Sequence, residues 1–222
     1  MKKDDKLLAL LDLVIDQYIS SGDPVGSKSL NSLDSVEYAP STLRKYLNLL
    51  EKAGMVYQPY NSSGRIPTVS GLMAYIENYM SNVVDQQELE LENARKGLKY
   101  LVENLGAVAD GVVVGFLKSD EYYYLGMNNI LRDDLRDEYD TTRYIVKLIE
   151  TRDLVKQLDS KMLKRNKVYY TFIQDKKIVV SCIYAKIVVE EYEGMVCIVG
   201  PTRVDYKKNV AILNKVVSMI GD

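Results

Sequence analysis

Apolar residues recur at three- and four-residue steps through Leu7, Leu8, Leu11, Val14, Ile15, Tyr18 and Ile19, so Asp4 to Ser20 is expected to form an amphipathic helix with one buried stripe. Gly22, Asp23 and Pro24 end it. A short second helix should begin at Ser27, with Ser27 as N-cap and Leu30 and Leu33 turned inward. A third, Pro40 to Ala53, is bounded by a proline suited to the first helical position and by Gly54 just past the end. On its wheel Leu43, Tyr46, Leu47 and Leu50 share one side, while Ser41, Arg44, Lys45, Asn48 and Lys52 share the other. Met55-Val56-Tyr57 and Arg65-Ile66-Pro67-Thr68 then read as two short strands around a loop from Gln58 to Gly64.

Further along, Ser70 is expected to cap a helix reaching about Val84, with Leu72, Met73, Ile76 and Met80 on its apolar side. A helix from Gln86 to Leu105 comes after it, with Asp85 as N-cap. Its Leu91, Ala94, Leu98, Leu101 and Leu105 have the spacing of a coiled-coil seam, although a stripe that covers a neighbouring sheet has the same spacing. From Ala109 the period changes to that of strands, Gly111 to Leu117 and Glu121 to Gly126. Two helices come next, Asn129 to Tyr139 and Thr141 to Lys164. Strands over Lys167 to Gln174, Lys177 to Glu190 and Met195 to Val199 precede a final helix from Asp205 to Met219, capped by Asp205. Strands, a helical pair, more strands and a covering helix predict an α+β domain on an antiparallel sheet.

The order helix, short helix, turn, helix is that of a helix-turn-helix, whose second helix enters the major groove of DNA. The polar side of the third helix carries the side-chain types that meet base edges and phosphates, with Arg and Lys suited to guanine and Asn to adenine. A surface hairpin of no function is the plain reading of the two short strands taken alone. Behind a helix with this polar face they read instead as a wing.

Composition bounds these readings. The chain has 222 residues, 47% hydrophobic and 27% charged, enough for two globular cores. Its formal net charge of −2 gives no general attraction to nucleic acid, so affinity has to come from a local patch. Between Gly26 and Thr68, Lys28, Arg44, Lys45, Lys52 and Arg65 outnumber Asp34, Glu37 and Glu51. Histidine is absent, which removes the usual general base and the commonest transition-metal ligand, and no Gly-rich phosphate loop appears. An enzyme, a metal centre and a bound cofactor are therefore not expected. No run of about 18 apolar residues occurs and the charged N-terminus is unlike a signal peptide, so a cytoplasmic location without a membrane span is expected. Cys182 and Cys197 lie in apolar strand-like runs and read as reduced, buried residues rather than a disulfide.

Several segments carry a family resemblance. Tyr18 to Leu30, Ser41-Thr42-Leu43-Arg44-Lys45 and Asn61-Ser62-Ser63-Gly64-Arg65-Ile66-Pro67-Thr68 resemble the N-terminal part of the heat-inducible transcription repressor family HrcA. Tyr124 to Leu131, and Gly194 followed by Val199-Gly200-Pro201-Thr202-Arg203-Val204-Asp205-Tyr206, are similar to its C-terminal part. The resemblance implies a winged-helix domain over residues 1–69, linker helices over 70–106 and a reduced GAF-like α+β domain over 107–222. The chain departs from the family in being shorter, with the missing length between Val84 and Tyr124, where a dimerisation insert would sit. Ala39 stands where the family has Ser ahead of the recognition helix, which removes a side-chain N-cap of roughly 1 kcal/mol, and Lys45 stands where it favours Asn.

As a member, the chain would be a repressor of chaperone genes that binds an inverted-repeat operator in double-stranded DNA as a homodimer and answers to the GroEL-type chaperonin. Ser41, Thr42, Arg44, Lys45 and Asn48 would meet base edges or flanking phosphates. Lys28 would contact backbone, and Arg65 on the wing would reach phosphate or the minor groove. A winged-helix regulator that binds a small molecule through a tyrosine-rich sheet, with Tyr122, Tyr123, Tyr124, Tyr169 and Tyr170, is the rival reading. The Gly200-Pro201-Thr202-Arg203 turn admits an anion site, but a turn whose arginine pairs with a carboxylate is favoured.

Overall fold

The computed structural model describes residues 3–33, 38–82, 97–159, 163–189 and 191–220. The chain forms two compact units, Met1–Val83 and Val84–Asp222. The segment expected as a 70–106 linker is thereby divided, with its first helix in one unit and its last in the other.

In the first unit α1 spans Lys3–Ser21, α2 Ser27–Asn31, α3 Pro40–Lys52 and α4 Val69–Asn82, and a two-stranded ribbon of β1 (Val56–Tyr57) and β2 (Ile66–Pro67) stands between α3 and α4. Leu10, Leu11, Val14 and Ile15 of α1, Leu30 of α2, Leu43, Leu47 and Leu50 of α3, and Leu72, Tyr75 and Ile76 of α4 make the core. Each such side chain contributes about 1.5–3 kcal/mol when fully buried. Two polar ties join α1 to α4. The Tyr75 hydroxyl bonds Asp16, and the Asn78 amide donates to Asp12 Oδ2 at 2.8 Å.

Three local expectations change. Gly26, not Ser27, caps α2, and the Ser29 hydroxyl accepts the Gly26 N–H at 3.0 Å. Thr68, not Ser70, caps α4. Its hydroxyl accepts the Gly71 N–H at 3.1 Å and donates to the Gly54 carbonyl at 2.6 Å, so one side chain ties the end of α3 to the start of α4. The apolar side of α4 uses Tyr75 where Met73 was expected, and Met73 is 40% exposed.

In the second unit α5 spans Leu98–Val108 and β3 to β7 are Val112–Leu117, Tyr122–Leu125, Val168–Asp175, Ile178–Val189 and Tyr192–Gly200. The helices α6 (Tyr139–Glu150) and α7 (Asp153–Asp159) lie between β4 and β5, and α8 (Tyr206–Ile220) comes after β7. The strands form one antiparallel sheet in the order β4-β3-β7-β6-β5. Ile145, Leu148, Ile149, Leu154 and Leu158 of α6 and α7 pack with Val112, Val114, Phe116, Cys182, Tyr184, Cys197 and Val199 of the strands. Alternation along the strands sends Val113, Gly115, Ile183 and Ile198 to the other face. There Gly115 lies against Val102 and Leu98 of α5.

The expected helix from Thr141 to Lys164 breaks at Arg152, which adopts φ 55°, and the expected Asn129 to Tyr139 helix is replaced by 3-10 turns at Met127–Ile130 and Asp133–Glu138. Of the expected seam, Leu98, Leu101 and Leu105 are at most 1% exposed. They are core residues of this unit, so the sheet-covering reading holds for them. Leu91 and Ala94, with the Asp85 cap, lie outside the described residues. Both cysteines are free and buried, and burial pushes the Cys197 thiol well above its ordinary range. Among the described residues no helix is long and apolar enough to cross a membrane.

Candidate nucleic-acid interface

Pro40 at the first turn starts α3 without help from Ala39, whose extended backbone (φ −60°, ψ 148°) precedes the helix with no side-chain cap. Three turns then separate the buried Leu43, Leu47 and Leu50 from Ser41, Arg44, Lys45, Asn48 and Lys52, all of which are exposed. Thr42 is half-buried at the helix start. Lys28 is exposed on α2.

The ribbon lies beside this face because of a backbone contact. Val25 pairs with Arg65 through two hydrogen bonds of 2.8 Å, which adds a bridge to the β1-β2 ribbon. The approach is so close that a Cβ on Gly64 would stand 2.4 Å from the Pro24 carbonyl oxygen, so only glycine fits there. The loop turns at Tyr60 to Ser63, with Ser62 at φ 66°. The Gln58 amide crosses it to donate to the Ser63 carbonyl at 3.1 Å.

A concave groove of about 560 Å³ opens between α2, α3 and the ribbon, lined by Gly26, Ser27, Lys28, Arg44, Leu47, Asn48, Gln58 and Ser62 to Arg65. Of the residues singled out from sequence, Lys28, Arg44, Asn48 and Arg65 meet in this groove. Ser41, Thr42 and Lys45 lie on α3 outside its lining. Ser27, Gln58, Ser62 and Ser63 are additional polar lining residues. Gln58 and Ser63 face each other across the loop, a juxtaposition that hairpin spacing alone made available.

Arg65 is not at the tip. Tyr60 and Asn61 are, and Tyr60 is 65% exposed. The Arg65 side chain is only 14% exposed and its guanidinium folds back on α3. Nε donates to Glu51 Oε2 at 3.1 Å and Nη2 lies 2.9 Å from the same oxygen. Nη2 also donates to Asn48 Oδ1 at 3.3 Å, and Nη1 to the Ser63 carbonyl at 3.4 Å. The expected contact of Arg65 with phosphate or the minor groove would have to compete with these partners. Glu51 sits one turn beyond Asn48 and offers a fixed anion nearer than solvent does. By contrast, among the described residues no ion pair engages Lys28, Arg44, Lys45 or Lys52.

The second unit's motifs are occupied by its own backbone. Arg203 Nη2 meets Asp134 Oδ2 at 2.5 Å and Nη1 donates to the Asp134 carbonyl at 2.8 Å, so the expected carboxylate pairing is present. Asn129 donates to the carbonyls of Gly106, Ala109 and Gly111, which gathers the end of α5 and the start of β3. Tyr122 donates to the Ile149 carbonyl at 2.8 Å, Tyr169 accepts the Lys164 N–H at 2.9 Å, and Tyr169 stacks on Tyr184. Burial pushes the Tyr184 phenol up to about 12. These contacts account for Tyr122 and Tyr169 as packing residues, whereas Tyr123 and Tyr124 are exposed.

Residues 73–210 match the HrcA protein C-terminal domain, and the chain belongs to the HrcA family. It is 28% identical over 187 residues to the heat-inducible transcription repressor HrcA of Lachnoclostridium phytofermentans, covering 78% of this chain and 53% of that protein. It is 36% identical over 95 residues to the Erythrobacter litoralis repressor of the same name, covering 43% of this chain and 27% of that one. The chain thus spans about half or less of the length of these relatives. A solved structure of a hypothetical protein superposes with a TM-score of 0.78 over 97% of both chains at 17% identity, which shows a shared fold.

Proposed function

We propose that this chain is a DNA-binding transcriptional repressor of heat-shock genes that grips an inverted-repeat operator as a homodimer and is tuned by a GroEL-type chaperonin. In this reading residues 1–69 are a winged helix-turn-helix domain with α3 as recognition helix and the β1-β2 ribbon as wing, 70–106 link it to a reduced GAF-like domain over 107–222, and α4 and α5 at the two ends of that link each pack into the unit they adjoin. The observation that carries it is the open face of α3. Arg44 and Asn48 line a groove beside the ribbon, flanked by Lys28 and Lys45, in a chain of a family whose matched relatives are named repressors. Ser41, Thr42, Arg44, Lys45 and Asn48 would supply base and phosphate contacts, Lys28 a phosphate contact, and Arg65 on the wing a phosphate or minor-groove contact on exchanging its pairing with Glu51.

The net charge of −2 means that binding depends on this local patch and on pairing two copies. Mobility shift on a palindromic duplex from upstream of chaperone genes, with and without chaperonin, tests the reading. Retention that rises with chaperonin supports it. Failure to retain the duplex at low ionic strength ends it.

A further inference from the structure

We propose that two copies of this chain pair through the outer edge of β4, strand against strand about a twofold axis at Tyr123, with their α5 helices side by side over the joined sheet. The inference gives the homodimer of the proposed reading its pairing surface and rests on that reading for the need to pair.

Among the described residues β4 ends the sheet, with β3 as its one strand neighbour. The Leu117 N–H donates to the Glu121 carbonyl at 3.0 Å, and the N–H of the next residue, Lys118, donates to Glu193 of β7 at 2.8 Å. Main-chain groups alternate in direction along an antiparallel ladder. Glu121, Tyr123 and Leu125 therefore turn theirs toward β3, while Tyr122 and Tyr124 turn theirs off the free edge. Such an edge is a template for another strand, and its usual guards are a lysine, a proline or a bulge. Tyr122 to Leu125 carries none of these, and Tyr123, Tyr124 and Leu125 are exposed. Two of these edges run antiparallel let each Tyr122 exchange hydrogen bonds with Tyr124 of the second copy.

The setting of α5 makes a second copy the occupant. Gly115 lies against both Leu98 and Val102, and Gly106 lies against Leu125, so α5 runs parallel to β4 above the β3-β4 pair. A helix seated there is half a strand spacing in from β4, and joining two edges sets the two α5 axes about 10 Å apart, the distance of packed helices. On the helical wheel Lys99 and Glu103 lie beside Gly106, on the side of α5 toward the free edge. Within one chain they form only a loose pair, 3.9 Å apart at 63% and 50% side-chain exposure. Antiparallel helices related by the axis at Tyr123 bring Lys99 of one copy opposite Glu103 of the other. The surface is thus complementary in charge to itself.

Sedimentation velocity of the whole chain over a dilution series tests the inference, and the unmodified chain should be a dimer. Tyr124→Pro removes an N–H that the chain's own ladder does not use and should weaken the dimer by about tenfold or more. Glu103→Lys sets like charges opposite each other and should weaken it by about tenfold, and adding Lys99→Glu should restore it. On oxidation Tyr123→Cys should form a disulfide between copies, because directly opposed residues stand about 4.5–5.5 Å apart at Cβ, whereas Leu125→Cys should not. Cys182 and Cys197 are buried and do not compete. A monomer at every concentration, a dimer that Glu103→Lys leaves intact, or a disulfide at position 125 and not at 123 would overturn the inference. If Tyr124→Pro fails to fold by circular dichroism, the charge exchange at exposed positions decides alone. Duplex retention measured alongside separates the two failures. Operator binding by a chain whose dimer ignores these variants leaves the repressor reading standing, and a variant-sensitive dimer that retains no duplex ends that reading alone.

Discussion

Arg65 and Arg203 each close a glycine-containing corner of the chain, and each is nearly buried, at 14% and 11% side-chain exposure. Each pairs with one acid, Glu51 at 2.9 Å and Asp134 at 2.5 Å. Their surroundings differ. Around Arg203 the neighbouring Arg132 and Asp110 are spent inside the unit. Arg132 meets Asp110 at 2.8 Å, the other Asp110 oxygen accepts the Asp205 N–H at 2.7 Å, and the buried Asn209 binds both the N–H and the carbonyl of Asp110. Around Arg65 the pairing stops at Glu51, Asn48 and Ser63, and Lys28, Arg44 and Lys45 stay exposed beside an open groove. An arginine in a glycine-containing turn is therefore a poor marker of a binding face. The face proposed to bind is set apart instead by exposed cations that no ion pair engages among the described residues.

The comparison breaks hardest at α5, whose leucines have the spacing of an intermolecular seam. Leu98→Asp puts an uncompensated charge where the side chain is 1% exposed, against Gly115. It should cost about 3–5 kcal/mol and unfold the second unit. Thermal unfolding should show the loss at every protein concentration. A variant that melts like the parent when dilute and differs only in association would return Leu98 to a seam.

Arg203→Met tests the closed corner. It removes the partner of Asp134, which is half exposed, so about 1–3 kcal/mol of stability should be lost by denaturant unfolding. Duplex affinity per folded molecule should be unchanged. A fall in affinity without a fall in stability would show that the corner serves binding after all.

Arg44→Ala is the counterpart on the open face. It should leave stability within about 0.5 kcal/mol, because the side chain is exposed. Specific binding should weaken by about 1–3 kcal/mol while nonspecific binding is largely kept. Equal losses in a paired titration of operator and random duplex would mean that α3 contacts phosphate without reading bases.

These contrasts also show which features could be read from the order of residues. The helices and strands with unbroken apolar periods, α1, α3, α8 and β3 to β7, lie within a few residues of their expected limits. Asp205 caps α8 as expected, accepting the Lys208 N–H at 2.9 Å. The break at Arg152 was not legible, because neither glycine nor proline marks its positive φ. The Thr68 cap was hidden because the same threonine closed the expected strand Arg65 to Thr68, which in the structure ends at Pro67. At the candidate site the polar face of α3 was legible from the wheel. The fate of Arg65 was not, since Glu51 and Asn48 meet it only when the ribbon docks through Val25 and Gly64, 14 to 17 residues from its partners. Local pattern shows which side chains are polar, and only the folded contact shows which remain unspent.

The smallest expected effect concerns the second unit's cations. Glu193 on β7 gathers Lys118 at 3.1 Å, Arg165 at 2.9 Å and Lys186 at 3.1 Å, so three cations outside the first unit share one acid. Hydrogen bonds from Arg165, then Lys186 and Lys118, hold its carboxyl at about 2, below the ordinary 4.5. A depressed carboxylate contributes stability above its unfolded pKa and loses it as pH falls toward the folded one. The difference in melting temperature between the parent and Glu193→Gln should accordingly be present at neutral pH and shrink from about pH 4.5 to about pH 2. It should be small, since the cluster is solvent-accessible and screened. A difference that persists below pH 2, or that grows as the pH falls, would show that Glu193 acts through packing rather than charge. The contrast between spent and unspent cations in the two units would then lose its electrostatic basis.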